Sequence, residues 1–486
     1  MSKQIIKNQL SKIMKRRDFL TNSAVVAASV LLADKIGFAQ TSEFVSHRPP
    51  LNQRKFVSKA VEAKIAEVKS AIKDKELAWM FENCYPNTLD TTVELGTRDG
   101  KIDSFVITGD IHALWLRDST AQVTHYLSLI KDDKDLQNLI KGLIHRQAYS
   151  ILLEPYANAF LKDLNEKGWD DLPKNKPGIL ERKWEVDSLC YAMRLSYQYW
   201  KATNDATAFD EEWQNAMRLA VKTFKVEQLK DGKSPYTFIR KTTVMIDAPP
   251  FDGTGNPVKP VGLIRSAFRP SDDSTWFPFL IPSNAFAVVS LRHLAEIFRV
   301  ALKINDFAKE CEDLAAEIEQ AIYKYAVIEH ENFGKVFAYE VDGFGNRLFM
   351  DDANAPNLLS LPYLGFVKHD DKIYQNTRRF VLSDNNPYFK RGKYASAVGS
   401  PHTGKTNVWH LGIIMRAMTS VDENEIKQCL SMLKNTHADT GFMHESFNPD
   451  DPKDFTRSWF AWANTIFGEL ILKIYNERKM LLNNEF

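Results

Sequence analysis

Four widely separated stretches of the chain collect carboxylates, arginines and tryptophans. The first is Gly109-Asp110-Ile111-His112-Ala113-Leu114-Trp115-Leu116-Arg117-Asp118-Ser119 and the second is Glu181-Arg182-Lys183-Trp184-Glu185-Val186-Asp187-Ser188-Leu189. The third is Phe268-Arg269-Pro270-Ser271-Asp272-Asp273-Ser274-Thr275-Trp276. The fourth joins Gly441-Phe442-Met443-His444-Glu445-Ser446-Phe447-Asn448 to Phe455-Thr456-Arg457-Ser458-Trp459-Phe460. His402, in Ser400-Pro401-His402-Thr403, is a further candidate. Together they make the inventory of a sugar site. Indole faces stack on pyranose rings, Arg and Asp grip paired hydroxyls, and two carboxylates cleave a glycosidic bond as acid and base.

Each residue also has an ordinary explanation. Asp118 or Ser119, and Asp187 or Ser188, fit helix N-caps. Asp272 and Asp273 fit a solvated turn. A cap accounts for one polar residue at a helix start but not for Trp115, Arg117 and Asp118 together, whereas Glu185 and Asp187 stay open between the two readings. The chain contains no Gly-x-Ser-x-Gly elbow, Gly-x-Gly-x-x-Gly or His-Glu-x-x-His, so neither a dinucleotide cofactor nor a zinc site is implied.

The elements that would position these residues are mainly helical. Apolar residues recur at three- and four-residue spacing over 57–72, 119–131, 134–153, 186–203, 207–226, 283–303, 305–326, 407–419, 423–435 and 456–478. Segments 354–363 and 370–382 add a shorter pair. Hairpins are expected at Asp99-Gly100 and around Asp342-Gly343-Phe344-Gly345-Asn346, between Val336 and Phe349. A dozen helices joined pairwise by short connections suit an all-α (α/α)6 toroid with small β-hairpin excursions. Strand–helix alternation that would give a parallel sheet is missing.

The 486 residues carry 63 Lys plus Arg against 62 Asp plus Glu. Residues 1–39 hold seven of the basic and two of the acidic ones, leaving 56 basic against 60 acidic, which argues against a nucleic-acid partner. That same stretch contains Lys15-Arg16-Arg17-Asp18-Phe19-Leu20, an apolar run from Ala24 to Ala33, and Gly37-Phe38-Ala39. It reads as a twin-arginine-type export signal, too short to span a bilayer, and predicts a periplasmic protein. Residues 40–55 read as a linker and 56–486 as a single catalytic domain, with no membrane span. Cys84, Cys190, Cys311 and Cys429 are far apart; an oxidising compartment permits one or two disulfides, but buried thiols suit Cys190, Cys311 and Cys429 better.

The sequence resembles glycoside hydrolase family 125 at Leu114-Trp115-Leu116-Arg117-Asp118-Ser119, Glu185-Val186-Asp187-Ser188-Leu189, Phe268-Arg269-Pro270-Ser271-Asp272-Asp273, Leu280-Ile281-Pro282-Ser283-Asn284 and His444-Glu445-Ser446-Phe447. The likeness runs from about Val57 to Tyr475. It implies an exo-acting, metal-independent, inverting α-1,6-mannosidase on an (α/α)6 barrel, needing no cofactor and acting on α-mannoside glycans. By the same resemblance the base is Glu445 and the acid is Asp272, with Asp273 the alternative. Arg117, Asp118, Glu185 and Asp187 are expected to grip hydroxyls, and Trp115, Trp276 and Trp459 to stack. Trp184, Arg269, Asp273, His402, His444 and Arg457 complete the expected substrate contacts. Two rivals remain: another sugar enzyme on the same ring, such as an epimerase, which would release no monosaccharide, and an exported glycan binder, which needs no opposed carboxylates.

Overall fold

The helix from Ile281 to Glu296 is apolar all round, with every residue from Ile281 to Leu291 buried. The next, Asn305–Tyr325, buries one stripe: Phe307, Ala308, Cys311, Leu314, Ala315, Ile318, Ala321 and Ile322. The first pattern requires neighbours on several sides and the second requires one face in water. Repeated along the chain, this contrast builds a double ring. A computed structural model describes residues 44–486, so the leader 1–39 lies outside the described residues; 45–486 form one unit.

The helices are α1 (Lys59–Ala71), α2 (Lys75–Cys84), α3 (Asn87–Thr91), α4 (Leu116–Thr124), α5 (Lys134–Leu153), α6 (Val186–Thr203) and α7 (Glu211–Glu227). They continue with α8 (Ile281–Glu296), α9 (Asn305–Tyr325), α10 (Leu361–Leu364), α11 (Lys372–Val381), α12 (His410–Met418), α13 (Glu423–Lys434) and α14 (Ala461–Glu477). The inner ring is α4, α6, α8, α10, α12 and α14; α4 packs on α6, α6 on α8, α8 on α10 and α12 on α14, and α14 returns to α4. The outer helices are α5, α7, α9, α11, α13 and α2. This is an (α/α)6 barrel.

The two rings begin their helices differently. Asp74, Asp133, Asp210, Asp371 and Asp422 cap five of the outer helices through their side chains, each cap being worth about 1 kcal/mol. The residues preceding inner helices α4, α6, α8, α12 and α14 are Trp115, Glu185, Leu280, Trp409 and Phe460, and none supplies a side-chain cap. Their first N–H groups therefore keep a positive end for whatever lies beyond them. Asp118 and Asp187 fall inside their helices, not at the caps. Three small antiparallel sheets lead into inner helices: Leu114–Trp115 with Ala159–Phe160 and Ile179–Glu181, Phe279–Leu280 with Glu340–Val341 and Arg347–Leu348, and Val408–Trp409 with Ser446–Asn448 and Asp451–Phe455.

Several elements depart from the periodicity reading. The helix expected over 119–131 begins at Leu116 and ends at Thr124, where His125 and Tyr126 both turn to hydrogen-bond the Tyr85 carbonyl. The helix expected from 456 starts at Ala461, because Asp451–Phe455 pairs as a strand and Arg457 takes a left-handed φ of 46°. Segment 354–363 is mostly loop, since the Asp351 carboxylate accepts from the Leu358 and Leu359 amides and α10 is one short turn. The Asp99-Gly100 hairpin forms, pairing Val93–Arg98 with Lys101–Val106. Asp342 likewise ties a turn through the Phe344 and Asn346 amides, although its ladder is only two residues long. From Val45 onward the stretch read as a linker is docked, with Arg48 buried between Glu62 and Asp90. All four cysteines are buried free thiols. Among the described residues no helix is long and apolar enough to cross a membrane.

Candidate active site

Asp272 sits in a loop whose backbone is tied from several directions. Its amide donates to the Arg269 carbonyl at 2.9 Å, Arg269 N donates to the Asp273 carbonyl at 2.8 Å, and Lys183 Nζ reaches the Asp272 carbonyl at 2.7 Å. Asp272 has φ +65°, the left-handed region that non-glycine residues avoid. Such a conformation persists where its surroundings over-determine it, and that is common at functional sites. Glu340 provides much of the constraint: one oxygen takes Arg269 Nε at 2.7 Å and the other takes the amides of Trp276 and Phe277 at 3.0 and 2.9 Å.

The Asp272 side chain points at Arg117, near the start of α4. Arg117 Nη2 lies 3.2 Å from Asp272 Oδ1, Nη1 lies 2.6 Å from Glu185 Oε2 and 3.3 Å from Asp187 Oδ2, and Nε lies 3.5 Å from Asp118 Oδ2. Asn158 Nδ2 donates to Asp272 Oδ1 at 3.3 Å, and Thr108 Oγ1 donates to Asp118 at 2.9 Å. One guanidinium thus serves four carboxylates, so not all of them can hold full charge. Burial pushes Asp187 up to about 6 and Glu185 well above the carboxylate range. Burial also acts on Asp272, but the charges of Arg117 and Lys183 outweigh it and pull that group down to about 2.

Glu445 has a sparser setting. It lies in the loop before Ser446–Asn448 and is 7 % exposed. Thr456 Oγ1 donates to its Oε2 at 2.9 Å, and Arg457 Nη1 is 3.5 Å from Oε1. Arg457 is in turn gripped by Asp110, whose oxygens lie 2.9 and 3.1 Å from Nε and also contact Nη2. The clamp depends on Gly109, at φ +128°: a Cβ there would meet the Trp459 carbonyl oxygen at 2.5 Å, and Asp110 N donates to that same oxygen.

The two halves meet through shared neighbours. Asp118 lies in the fields of both Asp272 and Arg457. His402 Nδ1 is 3.0 Å from Asp273 Oδ1. Burial would lower the His402 imidazole, but the bond to Asp273 and the charges of Glu445 and Asp272 raise it to about 9. Asp272, Asp273, Glu445, Arg117, Asp118, Glu185, Asp187, His402 and Arg457 therefore form one constellation.

Other expected contacts fall elsewhere. Trp184 is fully buried against Tyr156 and Phe224, with its N–H donated to the Arg265 carbonyl, so it is core and not a stacking platform. His444 is also fully buried; its ring stacks on Phe455 at 3.7 Å, and burial lowers it to about 4. It braces the Glu445 loop and presents nothing to a ligand. Arg269 is spent on Glu340. Trp115 is buried in a small cluster with Ala159, Leu161 and Leu180. Trp459 lines a separate cavity of about 250 Å³ with Asn83, Asn87 and Phe442. Trp276 is 54 % exposed. Asn158, Lys183, Asp110, Thr456 and Glu340 were not among the expected residues. Lys183, Asp110 and Thr456 lie inside the polar stretches; Asn158 and Glu340 carry no sequence signal.

The model of the family described as metal-independent alpha-mannosidase (GH125) matches residues 74–472. The meiotically up-regulated gene 157 protein of Schizosaccharomyces pombe is 43% identical over 455 residues, 90% of this chain and 89% of the relative. A Streptococcus pneumoniae metal-independent alpha mannosidase, solved in a non-productive complex with alpha-1,6-mannobiose, is 43% identical; the match covers 87% of this chain and 100% of that one, with a TM-score of 0.84. The glucoamylase of Saccharomycopsis fibuligera, 12% identical with a TM-score of 0.52 over 89% of this chain and 99% of that one, shares the fold. With its barrel, its charged constellation and a family match over most of its length, the chain belongs to glycoside hydrolase family 125, the metal-independent α-mannosidases.

Proposed function

We propose that the protein is an inverting, exo-acting α-1,6-mannosidase that removes terminal non-reducing α-mannose from mannosides and from N-glycan or mannan fragments. The observation that carries the reading is a pair of loop carboxylates in different charge environments, Asp272 against Arg117 at 3.2 Å and Glu445 against Thr456 at 2.9 Å and Arg457 at 3.5 Å. The α-1,6-mannobiose bound by the S. pneumoniae relative supports the linkage. Asp272, whose side chain is 23 % exposed, is the proton donor to the glycosidic oxygen. Glu445 takes a proton from water as that water attacks the anomeric carbon from the opposite face. Arg117 and Asp118 bind hydroxyls, Asp187, which has no exposed surface, acts through Arg117, and His402, held to Asp273 at 3.0 Å, adds a positive charge to the site.

Incubation with α-1,2-, α-1,3- and α-1,6-mannobiose in the presence of a chelator tests the linkage and the metal independence. Release of mannose from the α-1,6 isomer ahead of the others is the expected result; preference for another linkage rejects the assignment. The leader supports export to the periplasm through the twin-arginine route. Replacement of Arg16 and Arg17 by Lys should leave the protein in the cytoplasm, and unchanged export would reject that route.

A further inference from the structure

An inverting hydrolase needs a proton on its acid at the start of each turnover, yet Asp272 faces Arg117, Lys183, Asn158 and His402, all of which favour its anion. Glu185 stands next to it at the start of α6 and has no exposed surface. Glu185 Oε2 is fully used: Arg117 Nη1 lies at 2.6 Å and Ser188 Oγ donates at 3.0 Å. Glu185 Oε1 is buried with no donor in reach. A buried carboxylate oxygen without a donor is costly. Glu185 and Asp272 share one guanidinium, Arg117 Nη1 at 2.6 Å from the first and Nη2 at 3.2 Å from the second, so the two carboxylates are neighbours, and two carboxylates hydrogen-bond only when one carries a proton.

We infer that Glu185 is a positioning residue that holds, on Oε1, the proton that Asp272 delivers to the leaving group. The inference rests on Asp272 being the acid. The charged and titratable groups facing Glu185 are Arg117 from α4, Asp187 from its own helix and Asp272 from the loop. In the resting site the Glu185 O–H donates to the Asp272 carboxylate. The proton passes to Asp272, leaving the Glu185 carboxylate beside Arg117. Asp272 then gives the proton to the glycosidic oxygen, which keeps the electron pair of the breaking C1–O bond. Water forms the new C1–O bond and loses its proton to Glu445. Solvent afterwards takes the proton from Glu445 and returns one to the pair through Asp272. Glu185 cannot replace Asp272 as the direct donor, because no part of it reaches solvent or substrate.

The test compares Glu185→Gln with Asp272→Asn on α-1,6-mannobiose and on an aryl α-mannoside whose leaving group needs no protonation. Glu185→Gln keeps the shape and a hydrogen bond to Asp272 but holds no transferable proton. Its kcat should fall about 10²-fold on mannobiose and less than about 3-fold on the aryl mannoside, with KM little changed. The alkaline limb of kcat/KM should move to lower pH. Equal losses on both substrates, or no loss on mannobiose, would overturn the role of Glu185 while Asp272→Asn stays selective for mannobiose. Equal losses for Asp272→Asn would instead remove Asp272 as the acid, and this inference with it. Neutron diffraction from the unaltered protein reads the proton directly: deuterium on Glu185 Oε1 is expected, and its absence there overturns the proposal even where the variant misfolds.

Discussion

The proposed acid side and the proposed base side of the site are built from the same kind of part, a loop carboxylate beside an arginine, yet they differ in almost every physical respect. Asp272 is crowded by charged and polar groups, with its side chain against Arg117 and Asn158 and its backbone pinned by Lys183. Glu445 meets one hydroxyl and one arginine held at 3.5 Å. Arg117 is buried, while the Arg457–Asp110 clamp is open to water, with 21% and 35% side-chain exposure. The difference matches the two tasks. A donor must keep a proton in reach at neutral pH, which takes surplus carboxylates around too few cations. A base must stay ionised and admit water, which takes few neighbours and an open flank.

The comparison breaks most visibly at the two carboxylates. Glu445→Gln should lower kcat about 10²–10⁴-fold on α-1,6-mannobiose and on an activated aryl mannoside alike. Asp272→Asn should cost as much on mannobiose and far less on the aryl substrate. Steady-state kinetics with both substrates decides, and matching profiles for the two variants would erase the distinction between the sides.

The arginines sharpen it in stability. Arg117→Ala strands buried carboxylates and should cost about 3–5 kcal/mol in denaturant unfolding. Arg457→Ala breaks a part-exposed pair and should cost about 1 kcal/mol or less. Equal costs would mean that the base side is as dry as the acid side.

Thr456→Val removes the hydroxyl that donates to Glu445. A hydrogen bond to a charged group is worth about 1.5–3 kcal/mol, and the loss should appear in kcat/KM with the melting temperature nearly unchanged. A drop in melting temperature without a kinetic effect would make Thr456 structural.

The smallest effect belongs to His402, which lies between the sides. Its imidazole is raised to about 9, so its contribution is complete below the ordinary histidine value near 6.5 and is lost as pH rises through about 9. The melting-temperature gap between the native protein and His402→Gln should therefore close between pH 7 and 10. A constant gap would show that His402 stabilises by shape and not by charge.

The charged constellation was legible because its residues lie in dense polar stretches. Arg117 and Asp187 stand in the first turns of inner helices, Glu185 directly before one, and Asp272 and Glu445 in loops further upstream. The errors have a common origin. Trp184 and His444 stand in the same stretches, but alternate neighbours of a loop residue point in opposite directions, one to the pocket and the next into the core. Residue type does not reveal which. Asn158 and Glu340 were illegible for another reason: they act on Asp272 from 114 and 68 positions away by sequence, through contacts that only the folded ring creates. The fold was legible where periodicity is strong, as in Lys134–Leu153 and Val186–Thr203, and illegible at α10, where Asp351 captures backbone amides that a helix would otherwise use.

The most direct measurement is the configuration of the mannose first released from α-1,6-mannobiose, followed by proton NMR before mutarotation. A donor at Asp272 and a water-activating Glu445 on opposite faces predict β-mannose as the initial product. Initial release of α-mannose would contradict the assignment, because it requires a covalent intermediate that this pairing does not form.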